Sequence, residues 1–185
     1  MKILVAVCAA VFVLAGRTAA ADMRPAQPGP EMQRLVKALS GRWSVTVNIA
    51  PSEHMPKGAI RKGEEVWRPG PGGFSLIEDY RSTDEEGEHN GLAIVWWDED
   101  LHRYQVMWCD DGPPGCLVYK LGAMWQGNDL VLRHEWTEDG KKFESRQVFS
   151  DMTPKSLRQS SDEGESGGEL KRVFSILASK VTTSN

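Results

Sequence analysis

Gly41-Arg42-Trp43-Ser44-Val45-Thr46-Val47-Asn48-Ile49 decides the fold. Trp43, Val45, Val47 and Ile49 alternate with Ser44, Thr46 and Asn48. A period of two puts the apolar set on one face of an extended chain, the pattern of a half-buried strand. Immediately upstream the period is different. Met32, Leu35, Val36 and Leu39 recur at i, i+3, i+4 and i+7 and make one stripe on a helix. Pro30 suits its first turn, and Gly41 suits the position just past its end. The stripe must bury against something, so the helix is expected to dock on the body that follows.

Downstream the strand pattern repeats to the C-terminal end. Strands are expected near 41–49, 60–68, 74–83, 91–97, 103–109, 116–125, 130–137, 142–150, 155–162 and 169–177. Breakers separate them, among them Pro69-Gly70-Pro71-Gly72-Gly73, Gly112-Pro113-Pro114-Gly115, Gln126-Gly127-Asn128-Asp129, Glu138-Asp139-Gly140 and the run from Glu163 to Gly168. Turns this short join antiparallel neighbours. A meander of about ten strands either exposes two sheet edges or closes on itself, and closure of eight to ten strands leaves room for one small ligand. The expected fold is therefore all-β, a closed antiparallel up-and-down barrel with one short N-terminal helix. A two-sheet sandwich is the rival; it needs long crossovers, and only 50–59 is long enough.

The chain has 185 residues, the length of one domain. Lys2, the apolar run Ile3 to Leu14 and the small triplet Ala19-Ala20-Ala21 read as a signal peptide over 1–21. The run falls short of the roughly 20 residues that span a bilayer. Cys8 inside it lacks the surroundings of a lipidation site. Residues 22–30, with Pro25, Pro28, Gly29 and Pro30, form an extended leader; the barrel domain spans 31–178, and 179–185 is a disordered tail. Loss of the signal takes Lys2 and Arg17 with it and moves the formal net charge from −4 to −6. A mildly acidic surface without a basic run argues against nucleic acid, and nothing after the signal is long and apolar enough to insert stably in a membrane. The protein is expected in the periplasm or secreted. There, Cys109 and Cys116 can close the loop between them as a disulfide. Their spacing is not that of a zinc or redox pair.

These pieces resemble calycin-type barrels such as lipocalins. They are more similar still to exported bacterial proteins grouped as domain-of-unknown-function family 1579. The likeness rests on Leu39-Ser40-Gly41-Arg42-Trp43, on Gly72-Gly73-Phe74 leading to Glu78-Asp79-Tyr80, and on Trp96-Trp97-Asp98, and covers roughly 31–178. It implies a barrel and no established activity. In lipocalins the first-strand Trp closes the barrel floor and a late Arg packs across it, which implies structural roles for Trp43 and Arg172, joined by a cation–π contact. Nitrobindin-type haem barrels share the Gly-x-Trp opening, but continue with further glycines where Ser44-Val45-Thr46 stands here. Their iron-binding His near the C-terminus has no counterpart in Leu170–Leu177, so no haem or other cofactor is expected.

Seven tryptophans are the strongest compositional signal: Trp43, Trp67, Trp96, Trp97, Trp108, Trp125 and Trp136. Each is bulky and carries one N–H that seeks a partner. Strand alternation nominates three interior faces: Leu92-Ile94-Trp96, Tyr104-Val106-Trp108 and Leu130-Leu132-His134-Trp136. On strand 74–83, Phe74, Leu76, Glu78 and Tyr80 share a face. An inward Glu78 would be a buried carboxyl in need of a partner. The candidate ligand-binding residues are Trp67, Glu78, Tyr80, Trp96, Trp108, His134 and Trp136.

No catalytic motif is present. Gly164-Glu165-Ser166-Gly167-Gly168 matches the hydrolase pattern Gly-x-Ser-x-Gly, but that chemistry needs a strand, a sharp turn and a helix, and this match lies in a hairpin turn. His54, His89 and His102 are scattered over expected loops. The acidic turns Glu85-Glu86-Gly87-Glu88-His89 and Asp98-Glu99-Asp100 lack the ligand order of a calcium hand, so no metal is expected. The leading function is a binding module for a small hydrophobic or amphipathic molecule. A filled structural or interaction barrel is one alternative. A lyase, isomerase or hydrolase working through a buried acid–base pair, with Glu78, Tyr80 and His134 as its residues, is the other.

Overall fold

The computed structural model describes residues 26–53, 55–112 and 115–182. The expected signal segment 1–21, residues 22–25 of the leader and His54 lie outside them. One helix, α1 (Pro30–Leu39), precedes eleven strands: β1 (Gly41–Ile49), β2 (Ala59–Pro69), β3 (Ser75–Asp84), β4 (Gly87–Asp98), β5 (Arg103–Asp110), β6 (Cys116–Val118), β7 (Gly122–Gln126), β8 (Asp129–Glu138), β9 (Lys141–Ser150), β10 (Ser156–Glu165) and β11 (Lys171–Lys180). Every pairing is antiparallel, and all join chain neighbours except β5 with β7 and the closing pair β11 with β1. β6 and β7 both lie along β5, as one strand interrupted at 119–121. The result is a closed barrel of ten strands, in which β6 pairs only with β5 and the C-terminal half of β8 only with β9.

Closure gives the molecule two ends. The turns beside Ile49, Asp84, Asp110, Glu138 and Glu165 lie at one, here called the mouth. The opposite end, the floor, carries α1. Met32, Leu35 and Leu39 are buried there, so the amphipathic stripe docks on the barrel as the period required. Polar ties fix the helix in place. Trp43 Nε1 donates to the Leu39 carbonyl at 2.8 Å, and Tyr104 OH donates to the Glu31 carbonyl at 2.8 Å. Arg34 lies 3.9 Å over the Trp125 ring, whose Nε1 donates to Tyr104 OH at 3.0 Å.

Several expectations are corrected. The cation over Trp43 is Lys180, 4.1 Å from the ring centroid, and not Arg172. The register explains why: Trp43 is opposite Lys180 on the floor, whereas Arg172 sits at the mouth end of β11, where it pairs with Asp162. For the same reason the tail cannot begin at 179, because Ser179 and Lys180 are strand residues paired with β1. β4 begins at Gly87, so the acidic turn shrinks to Glu85-Glu86. His89 is a strand residue whose ring lies 3.2 Å from Asp84. Ser166-Gly167-Gly168 forms the turn from β10 to β11, with no helix after it.

Cys109 and Cys116 are directly opposite each other on β5 and β6 and form a disulfide at the mouth. The bridge closes a short loop, for which chain entropy gives about 2.5 kcal/mol. Replacing both cysteines with serine is expected to lower the unfolding free energy by about that amount in urea denaturation, with the floor unaffected.

Candidate functional site

The strands enclose a cavity of about 320 Å³ between the floor and the mouth. Its floor side is fully buried, with Leu39, Val95, Ala123 and Leu130 at most 4% exposed, while Tyr80, Trp108, Tyr119 and Phe174 at the mouth side are half-buried. The cavity therefore opens away from α1. Its walls are mainly aliphatic and aromatic.

Of the nominated residues, the cavity collects Trp67, Glu78, Tyr80 and Trp108. It does not collect Trp96, His134 or Trp136. β4 carries apolar residues on both faces, and the inward set is Ala93 and Val95, one residue out of phase with Leu92, Ile94 and Trp96. A small residue faces in for a steric reason. A Cβ on Gly91 would stand 2.3 Å from the Trp108 ring, so the bare backbone makes room for that indole. On β8, Leu130 and Leu132 line the cavity, but His134 and Trp136 continue up the strand beyond it. His134 stacks on Trp136 at 5.8 Å, Trp136 stacks on Phe143 at 5.6 Å, and His134 Nδ1 accepts from the Lys120 amide. Burial and then the Lys120 charge push the His134 pKa down. The Glu78–His134 pairing is not formed.

The chemistry of the interior centres on a residue the alternation did not nominate. Glu65, on β2, is 1% exposed. Gln159 Nε2 donates to both of its carboxyl oxygens, at 2.8 and 2.9 Å, and Trp67 Nε1 donates to one at 3.3 Å. β2 and β10 are not neighbours in the sheet, so the Gln159–Glu65 contact crosses the barrel interior. The network continues: Gln147 Nε2 donates to Gln159 Oε1 at 3.3 Å, and Tyr119 OH lies 3.5 Å from Gln147 Oε1. A polar line thus runs from the half-buried Tyr119 down to a buried carboxyl.

Glu78 is the second carboxyl. It faces Trp67 across the β2–β3 ladder, while Glu65 faces Tyr80, so the two glutamates are diagonal neighbours on one inner face. Strand geometry puts such positions roughly 7–8 Å apart at Cα. Glu78 is 6% exposed, and among the described residues its carboxyl has no hydrogen-bond partner. Burial pushes Glu65 up to about 7, against the hydrogen bonds from Trp67 and Gln159. Burial, then the negative charge of Glu65 and of Asp79, holds Glu78 well above the usual carboxylate range. Two carboxyls this close in a poorly solvated site retain protons near neutrality.

At the mouth, Arg61 Nε donates to Asp84 at 2.8 Å, and this contact, with His89 on the other carboxyl oxygen, holds Asp84 well below its ordinary pKa. Tyr80 OH and Ser82 Oγ lie 2.7 Å apart, and burial raises the Tyr80 pKa. Tyr119 is pushed up to about 12 by burial and then by the charges of Glu163, Glu78 and Asp110.

No protein-family model matches the chain, and no curated protein matches it in sequence. Solved structures do match in fold. Rv2717c from M. tuberculosis aligns over its whole length with 84% of this chain, at 13% identity and a TM-score of 0.58. The S-type phycobiliprotein lyase CPES from Guillardia theta aligns over 93% of its length with 83% of this chain, at 12% identity and a TM-score of 0.50. A de novo designed fluorescence-activating β-barrel aligns over 96% of its length with 79% of this chain, at 10% identity and a TM-score of 0.43. At such identities the first two share with this chain a calycin-like barrel fold, and no more than that.

Proposed function

We propose that the barrel binds one small amphipathic molecule, its apolar body against the aliphatic and aromatic walls and its polar end at Glu65 and Glu78. The observation that supports this is the cavity itself: about 320 Å³, largely apolar, with a few convergent polar groups at depth. That size and composition are those of small-molecule sites. A filled structural barrel would leave no such space. The mildly acidic charge disfavours nucleic acid as a partner. The reading extends to an exported protein, periplasmic or secreted, akin to family 1579. The disulfide is compatible with an oxidising compartment, and no helix among the described residues is long and apolar enough to cross a membrane.

Trp67 and Trp108 line the cavity, so an occupant changes their surroundings. Intrinsic fluorescence titrated against lipids, quinones, haem and aromatic metabolites is expected to show a saturable shift with at least one class. Ala93→Leu, which adds bulk to the cavity wall, is expected to weaken it. Emission that no compound moves would refute the binding reading.

A second reading, an acid–base enzyme acting on a small substrate, is favoured by one feature. Glu65 titrates near 7, where a carboxyl can both give and take a proton. Under that reading Glu65, rather than a Glu78–His134 pair, carries the proton.

A further inference from the structure

The small-molecule reading leaves the chemistry of the ligand's polar end open, and the interior narrows it. Glu78 is 6% exposed, lines the cavity, and has no hydrogen-bond partner among the described residues. Its neighbour Glu65 is different: three donor contacts from Gln159 and Trp67 already engage it. A carboxylate only accepts hydrogen bonds, so Glu78 can ionise only if something entering the cavity brings the donor that the protein does not supply.

Charge narrows the class further. Facing the cavity are Glu65 and Arg61 from β2, Glu78 and Tyr80 from β3, Asp110 from β5 and Tyr119 from the β6–β7 break. β9 and β10 contribute the neutral amides Gln147 and Gln159, and β1, β4, β7, β8 and β11 contribute apolar side chains only. Glu163 of β10 lies nearby at the mouth, close enough to act on Tyr119. The one cation facing the cavity among the described residues, Arg61, is already bound to Asp84. The interior is therefore an uncompensated acidic site inside apolar walls. A neutral hydroxyl would satisfy one carboxyl oxygen but bring no positive charge to let the pair ionise. A carboxylate ligand would add to the repulsion. An ammonium brings three donors and the missing positive charge, and the neighbouring cavity residues Trp67 and Tyr80 are aromatic, a ring type that attracts cations.

From this we infer that the cavity is a site for a protonated amine carried on an apolar body, with Glu78 as the principal acceptor and Glu65 as the second charge. The assignment rests on the small-molecule reading above. Without a cation the pair keeps protons, and with one bound both carboxyls can ionise. Binding therefore expels protons from the pair, and affinity rises with pH while the amine stays charged.

The test uses three probes of equal chain length, octylamine, octanol and octanoate, titrated into the disulfide-intact protein by calorimetry. At pH 8 octylamine is expected to bind at least tenfold more tightly than octanol, with octanoate weaker still. Octylamine affinity is expected to fall at least tenfold between pH 8 and pH 5. Titrations in two buffers of different ionisation enthalpy should show net proton release at pH 7. In Glu78→Gln the amine-to-alcohol preference should collapse toward unity. The wild-type proton release and pH profile stand as a readout even if that variant folds poorly. Octanol or octanoate binding as tightly as octylamine would overturn the amine assignment while leaving a binding barrel. So would a preference that survives Glu78→Gln. If none of the three probes binds while a compound of the fluorescence panel does, the amine assignment alone fails; if nothing in either set binds, the small-molecule reading fails with it.

Discussion

Trp43→Ala is expected to lower the unfolding free energy by about 3–5 kcal/mol, the range for deleting a large buried aromatic side chain. Trp43 is 1% exposed and sits where three parts of the chain meet. Its indole N–H closes the helix end by bonding the Leu39 carbonyl, its ring faces the Lys180 ammonium of β11, and its backbone pairs β1 with both β2 and β11. The alanine variant leaves a void at the floor and strips Leu39 of its donor. Trp43→Phe keeps most of the volume and loses only the donor and the stronger cation–π partner, so a loss of about 1–2 kcal/mol is expected. Chemical denaturation measures both. If the two variants cost the same, the hydrogen bond and not the packing holds the floor. A loss under about 1 kcal/mol for alanine would mean that β1 and β11 seal without it.

The same residue shows which parts of the fold were legible in the sequence. Alternation over Gly41–Ile49 is unambiguous because its odd positions are apolar and its even ones polar, and the observed strand has those bounds. β4 has no such contrast. Leu92, Ile94 and Trp96 compete with Ala93, Val95 and Trp97, and a slip of one residue exchanges the faces. The deciding cue was steric rather than hydropathic: small residues at 91 and 93 face the bulky Trp108 across the ladder. The resemblance implies a Trp–Arg contact for Arg172, but a resemblance carries no register, and β11 pairs with β1 so that Lys180 and not Arg172 stands at the floor.

The site was half legible for related reasons. Trp67, Glu78, Tyr80 and Trp108 could be nominated because bulk or an acid on an apolar face is conspicuous. Glu65 hides in the charged run Arg61-Lys62-Gly63-Glu64-Glu65, where a solvated strand is the ordinary expectation. Its one signal was parity: it stands two residues before Trp67 and so shares that side chain's face. Gln147 and Gln159 give no local signal. Gln159 gains its role from a contact across the barrel to Glu65, a consequence of closure that periodicity does not carry, and Gln147 joins through Gln159 on the adjacent strand. His134 has the right parity but the wrong height along β8, and alternation says nothing of height.

The buried pair should also make stability depend on pH in an unusual sense. Glu65 has a folded pKa raised from 4.5 to about 7, so between those values the folded state holds more protons than the unfolded one. Stability must then fall as pH rises through that window, and it levels off above it. That rise corresponds to about 3 kcal/mol between pH 4 and pH 8, and Glu78 is shifted in the same direction. Asp84 opposes at the acid end. Its depressed pKa means that the stability it lends is lost as pH drops below the unfolded value of 3.8. The empty barrel is thus expected to be most stable near pH 5. Glu65→Gln removes this titration, because an amide cannot ionise, and also takes away the charge that helps raise Glu78. Relative to wild type, the variant should gain about 3 kcal/mol on going from pH 4 to pH 8, read by urea denaturation at each pH. A wild-type–variant difference that stays flat across that range would show Glu65 to ionise at an ordinary carboxylate pKa. Water would then reach it freely, and the interior would not be the poorly solvated acidic site from which the ligand's charge was deduced.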